Sequence, residues 1–253
     1  DHLDRYDGFA GYAASKARLF AMQRPDQHAV FGRGDPHTLR IAGDVAAGRS
    51  AGLVHVVDPA ALAGQADWPS LQGPHNLQNA AIAVETARLL GLSESQWRPA
   101  LHSFKGLPHR MERVAEAGGV LFINDSKATN PASTAPALAA FPRIHWIVGG
   151  LPKGGDLDEC APFFDHVVAA YTIGEAGPRF AEILAPAMPV NRSEMLCDAV
   201  SQAIAAARPG DVVMLSPACA SFDQFRDFEA RGDTFREFVS ALTGVEAGKM
   251  ECG

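Results

Sequence analysis

Three short stretches of this 253-residue chain carry, between them, lysines, hydroxyls and glycines directly after runs of apolar residues. Asn124-Asp125-Ser126-Lys127-Ala128-Thr129-Asn130 follows Val120-Leu121-Phe122-Ile123. Gly149-Gly150-Leu151-Pro152-Lys153-Gly154-Gly155-Asp156 follows the run from Ile144 to Val148. Ser216-Pro217-Ala218-Cys219-Ala220-Ser221-Phe222-Asp223 follows Val212 to Leu215. Ammonium groups supply positive charge and glycine-rich backbone exposes N–H donors, a combination suited to carboxylate or phosphate. Taken singly, each stretch reads equally well as an ordinary polar turn. Three of them on one sheet edge point to a ligand site, and the spacing leaves the ligand open.

Other candidates lie outside these stretches. His75, Asn76 and Asn79 fall in the first turn of a helix, where they either read a base edge or cap the helix. Pro108-His109-Arg110 places a cation between two halves of the chain. Lys16 sits on a short helix, the ordinary place for a surface lysine, and His2 lies between Asp1 and Asp4, a weak pattern for a divalent cation. Cys219 has no base positioned for it and reads as a packed thiol.

The elements that must hold these residues follow from periodicity and punctuation. Residues 11–22 suggest a helix, and 28–57 read as small irregular strands around Ala29-Val30-Phe31 and Leu53-Val54-His55-Val56-Val57. Leu77, Ala80, Ala81, Val84, Ala87 and Leu90 recur at helical spacing after Gly73-Pro74, with Gly91 at the C-cap, and Ser93 with Gln96 has capping-box spacing for another helix. From about residue 107 strands (120–123, 144–148, 167–173, 212–215) alternate with helices (near 132–140, 178–185, 194–207 and 227–242). Such alternation implies an α/β fold, a doubly wound parallel sheet covered on both faces. In open sheets of this kind ligands bind beyond the carboxyl ends of the strands, where the three polar stretches fall. The boundary between two domains is expected near Gly106, giving 1–105 and 106–253.

Composition narrows the function classes. With 22 basic and 29 acidic residues the net charge is −7, which argues against a general nucleic-acid or anionic-membrane binder. The four cysteines form no CxxC pair and read as reduced thiols of a cytoplasmic protein. No apolar run approaches the roughly 20 residues of a membrane span. No GxxxxGK[ST] phosphate loop occurs; Lys153 precedes its glycines and Gly248-Lys249 is followed by Met250. The abrupt start on Asp1 without Met leads to the expectation of a cut end, with any such loop upstream.

Together the motifs Asp1-His2-Leu3-Asp4-Arg5, Gly73-Pro74-His75-Asn76-Leu77-Gln78-Asn79-Ala80, Gly106-Leu107-Pro108-His109-Arg110, Asn124 to Asn130, and Ser216 to Ser221, followed by Phe228-Glu229 and Arg231-Gly232, resemble the Mur ligases. The runs NDSKATN and SPACAS point to the D-glutamate-adding branch. The resemblance implies the last part of a central P-loop-type ATPase domain (1–105) followed by a C-terminal Rossmann-like domain (106–253). It implies ATP and Mg2+ as cofactors, with UDP-N-acetylmuramoyl-L-alanine and D-glutamate joined through an acyl phosphate by a cytoplasmic monomer. His2 matches a magnesium ligand and Lys16 a carbamylated lysine that holds the metal. His75, Asn76, Asn79, Arg110 and Asp125 match ATP contacts, Asp125 on the ribose. Lys127, Thr129, Lys153, Ser221 and Phe228 match the D-glutamate pocket, Phe228 through its backbone. Another amide ligase of the superfamily, such as a folylpolyglutamate synthase-like enzyme, and a non-catalytic binding fragment are the alternatives.

Overall fold

The computed structural model describes residues 5–245, which divide into two compact units, the first ending at Phe104 and the second beginning at Lys105. His2 lies outside the described residues.

The first unit contains helix α1 (Gly8–Ala21), strand β1 (Ala29–Gly32), α2 (Pro36–Ala47), strand β2 (Val54–Val57), α3 (Pro74–Leu89) and α4 (Glu94–Ser103). The two apolar scraps read from the sequence are the strands, paired in parallel from Ala29↔Val54 to Gly32↔Val57. Helix α2 between them departs from the expected run of irregular strands. Asp35-Pro36 starts it: the Asp35 carboxylate accepts from Thr38 N at 2.8 Å, and Pro36 occupies the first helical position, where no N–H is needed. Helix α3 ends on Gly91 in the left-handed region (φ +82°), with Gly91 N donating to Arg88 O and Leu92 N to Ala87 O, a Schellman closure. Trp68, Ala80, Ala81, Val84 and Trp97 form this unit's main core.

The second unit contains β3 (Glu112–Ala117), β4 (Val120–Asn124), α5 (Pro131–Leu138), β5 (Ile144–Gly149), β6 (Val167–Ile173), α6 (Gly177–Leu184), β7 (Val190–Glu194), α7 (Leu196–Ala206), β8 (Val212–Leu215) and α8 (Phe228–Thr243). Its six strands run in the order β3-β4-β8-β5-β6-β7. Five are parallel. Strand β3 is antiparallel to β4, joined to it through Gly118 and Gly119 at positive φ, so the sheet is mixed rather than wholly parallel. Alternate residues of β5 and β8 enter opposite cores. Trp146, Val148 and Met214 face Leu138 of α5 and Phe180 and Leu184 of α6, while Ile147, Val213 and Leu215 face Leu196 and Val200 of α7 and Phe235 and Val239 of α8. The sheet is therefore doubly wound. No helix among the described residues is long and apolar enough to cross a membrane.

Candidate functional site

The last strand, β8, hydrogen-bonds between β4 and β5, so the loops after all three leave the sheet side by side. Backbone bonds then tie loop to loop. Gly149 N donates to Pro217 O (2.9 Å), and Leu151 and Ala220 exchange N–H···O bonds of 2.9 and 3.0 Å, while Asp125 N reaches Leu215 O at 2.8 Å. Closeness is enforced by glycine. Gly150 (φ +131°) has Ala220 O where a Cβ would stand, 2.4 Å away, and at Gly174 (φ +65°) a Cβ would meet Asp223 Oδ2. Ala218 holds φ +57° without being glycine, a local strain inside the β8 loop.

A buried arginine, Arg231, fastens the β4 and β8 loops from below. Its guanidinium donates to Ser126 Oγ (3.0 Å), Ser126 O (2.9 Å), Ala220 O (3.1 Å) and Cys219 O (3.1 Å), and Ser126 Oγ in turn donates to Phe228 O at 2.8 Å. It is 1% exposed, so desolvation pushes its pKa down to about 10. This role is absent from the reading of the sequence motifs. The signal lay in α8, where Arg231, Phe235 and Val239 share one buried stripe at four-residue spacing.

On this frame the structure brings the lysine and hydroxyl candidates to one sheet edge. Lys153, exposed, donates to Thr129 Oγ1 at 3.1 Å, linking the β5 and β4 loops. The Lys127 ammonium lies 3.8 Å from the Phe228 ring centroid. Ser221 is buried at the end of the β8 loop. Asn130 caps α5 through Ser133 N at 2.8 Å.

Asp125 is a buried bracket. Its Oδ1 accepts from Met111 N (3.1 Å) and its Oδ2 from Ser216 Oγ (2.8 Å). Burial raises its pKa to about 7, against those two hydrogen bonds and the charge of Arg110, which lower it. Arg110 itself is exposed, between His109 (φ +61°) and Met111 (φ +48°), two non-glycine residues in the left-handed region. His109 is locked behind it: its ring nitrogen Nδ1 lies 3.0 Å from Asn124 Nδ2, and Glu112 accepts from His109 N and pairs with Arg236 at 2.6 Å. Cys219 is 1% exposed, and burial raises its thiol to about 12, which keeps it protonated at neutral pH.

In the first unit, α3 carries the other candidates. His75 Nδ1 is buried without a hydrogen-bond partner, and burial lowers the imidazole's pKa, so the ring is neutral at pH 7. Asn76 Nδ2 donates back to Gln72 O at 3.0 Å, a local brace. Asn79 is exposed and borders an apolar cavity of about 530 Å³ between α3 and α4, lined also by Leu71, Val84, Trp97 and Phe104. Lys16 is exposed on α1, its ammonium 5.3 Å from the Tyr12 ring centroid. Among the described residues no three His, Cys, Asp or Glu side chains gather as a metal site.

The chain is similar to known proteins in sequence and in fold. Residues 109–219 match the family model "Mur ligase, glutamate ligase domain". The chain is 81% identical over 252 residues to the UDP-N-acetylmuramoylalanine–D-glutamate ligase of Novosphingobium aromaticivorans, covering 100% of this chain and 56% of that protein. It is 53% identical to the protein of the same name from Sphingopyxis alaskensis, over 96% of this chain and 56% of the relative. The chain thus spans about half the length of the relatives it matches. Among solved structures, FolC of E. coli in complex with DHPP and ADP superimposes with a TM-score of 0.60 at 21% identity, covering 96% of this chain and 59% of that one. MurF from Acinetobacter baumannii gives 0.58 at 17% identity, covering 94% and 58%. These two establish the shared fold. Residues 109–219, which hold the β4 and β5 loops and the start of the β8 loop, thus form a Mur ligase glutamate ligase domain, in a chain similar to D-glutamate ligases along its whole length.

Proposed function

We propose that this chain is part of the ATP- and Mg2+-dependent ligase that joins D-glutamate to UDP-N-acetylmuramoyl-L-alanine, a cytoplasmic step in peptidoglycan precursor synthesis. The observation that carries the reading is the pair of lysines, Lys127 and Lys153, set beside Thr129 and Ser221 on adjoining loops of one sheet edge. In this reading residues 1–105 are the last part of a central ATP-binding domain and 106–253 bind the amino acid. The relatives at 81% and 53% identity are named for the same reaction.

The chemistry needs two anions and an amine held close together. ATP, when bound, activates the alanyl carboxylate as an acyl phosphate, because a free carboxylate is a poor acyl donor. Lys127 and Lys153 then pair with the carboxylates of D-glutamate, and Thr129 and Ser221 supply shorter polar contacts, so that the amine faces the acyl carbon. The neutral, unpartnered His75 Nδ1, with Asn79 on the same helix, fits a nucleotide contact. Arg110 and Asp125 are the second unit's own nucleotide contacts in this reading, Asp125 through the ribose as well as in its bracket. Magnesium belongs to the expectation that rests on His2 and a carbamylated Lys16. The described residues gather no metal site of their own, and no step here depends on the ion.

The test is phosphate release by the intact protein supplied with ATP, the nucleotide-linked substrate and a panel of amino acids. D-Glutamate should be preferred; preference for another amino acid, or for a folate acceptor, overturns the assignment. Lys153→Ala should raise the KM for D-glutamate by about ten- to a hundredfold, the value of a charge-assisted contact, and leave the KM for ATP within about twofold. Equal losses for both would return Lys153 to the nucleotide.

A further inference from the structure

Lys127 has no carboxylate partner among the described residues; what lies against its ammonium is an aromatic face, the Phe228 ring at 3.8 Å. Both sides of this contact are fixed. The Lys127 backbone N–H donates to His109 O at 3.0 Å. Phe228 opens α8 behind Asp227, whose carboxylate accepts from Ala230 N at 2.7 Å, and its carbonyl accepts from Ser126 Oγ. The His109 ring stands edge-on to the Phe228 ring, with centroids 5.9 Å apart and planes at 81°.

We propose that the Phe228 ring is a positioning residue for Lys127, seating the ammonium so that it is placed yet still charged for a substrate carboxylate. This rests on the reading of Lys127 as a carboxylate partner and adds to the backbone role expected for Phe228. The advantage of a ring over an anion is electrostatic. A lysine is a long, rotamer-rich side chain, and holding it still normally takes a counter-ion. A carboxylate counter-ion would neutralise it, and an incoming acidic substrate would have to displace that anion. A ring attracts the cation through its quadrupole and carries no net charge, so the ammonium keeps its full attraction for an anion and the donors on its far side. The site gains order without losing charge.

The experiment is steady-state kinetics of the intact protein with Phe228→Leu and Phe228→Tyr, together with the NMR shifts of the Lys127 side-chain protons. Phe228→Leu should raise the KM for D-glutamate by about three- to tenfold, the range for a partly desolvated cation–ring contact, with the KM for ATP within about twofold. Phe228→Tyr, which keeps the ring face, should retain the ring-current shift on Lys127 and a KM for D-glutamate well below that of the leucine variant. In the wild-type protein the Lys127 εCH2 protons should be shifted upfield by the ring current, and the leucine variant should lose that shift. Loss of the ring-current shift with no change in the D-glutamate KM overturns the proposal, as does a parallel rise in the KM for ATP. Should the leucine variant fail to fold, absence of the upfield shift in wild type overturns it equally. If the wild type instead selects a different acidic amino acid and Phe228→Leu impairs its use by the same factor, the aromatic seat stands and the D-glutamate assignment falls.

Discussion

Replacing Arg231 by methionine separates the stability of the second unit from the order of its site. The guanidinium donates to four oxygens, two of which have alternatives. Ala220 O keeps the Leu151 N–H, and the Ser126 hydroxyl keeps Phe228 O as acceptor. Ser126 O and Cys219 O are left buried without donors, at about 1–3 kcal/mol each. Against that loss, methionine removes a cation that burial has pushed from an ordinary 12.5 to about 10. That displacement corresponds to about 3 kcal/mol of desolvation cost in the charged form, and methionine fills similar volume. The two nearly cancel. Unfolding free energy should therefore fall by no more than about 3 kcal/mol, while the β4 and β8 loops lose their common fastening. Amide exchange at Lys127 and Ala220 should accelerate well beyond the change in global stability, and the KM for D-glutamate should rise at least about tenfold from misplaced contacts. Arg231→Lys, with fewer donors and no planar fork, should fall between the two. A methionine variant that unfolds at wild-type denaturant concentration with unchanged exchange at both amides and an unchanged KM refutes this role for Arg231, as does a stability loss as large as the loss of local order.

Two further predictions concern the same edge. Asp125, raised to about 7 by burial, retains a proton in the folded state at pH values where the unfolded chain, near 3.8, has released it. Its contribution to stability is therefore greatest below about pH 4 and declines as pH rises to about 7. Asp125→Asn, with Ser216 turning its hydroxyl toward Thr134 Oγ1 (3.2 Å), removes that slope. Urea unfolding should show the variant gaining on wild type by up to about 4 kcal/mol between pH 4 and pH 8, and a constant difference would contradict the raised pKa. Gly150→Ala should cost about 3 kcal/mol or more, because the added Cβ meets Ala220 O at 2.4 Å at φ +131°. Gly154→Ala, at φ +91° in open space, should cost only about 1 kcal/mol of backbone strain, and thermal melts of the pair distinguish crowding from strain.

The sequence announced the four inner strands of the second unit because each is a short apolar run closed by polar or glycine residues. Strand β3 escaped it, since Glu112, Arg113 and Glu116 make an edge strand look like a solvated loop; the Gly118-Gly119 turn was the stronger signal. Strand β7 escaped for a similar reason: Asn191, Arg192 and Glu194 are exposed at the other edge. Helix α2 was hidden because Asp35-Pro36 and Gly43 read as breakers, although Asp followed by Pro is also a helix start. At the candidate site, the polar loops were legible one by one as loop chemistry. Their shared edge followed from the strand–helix alternation, but which loops adjoin did not, since that depends on β8 inserting between β4 and β5, and strand order leaves no mark on local periodicity. Arg231 marks the same boundary from the other side: a charge on an apolar stripe was visible, but the carbonyls that satisfy it come from loops up to 105 positions away.

The place of β8 has a consequence for biosynthesis. A nascent chain that has emerged only as far as residue 200 possesses β4 and β5 but not the strand that joins them. Until Val212–Leu215 clears the ribosome, β4 pairs with β3 alone and β5 with β6 alone, each leaving one unpaired edge. The rim where the three loops meet exists only once β8 has been made, and a polypeptide stalled or released before that point is a sticky species, open to pairing with its neighbours on the polysome.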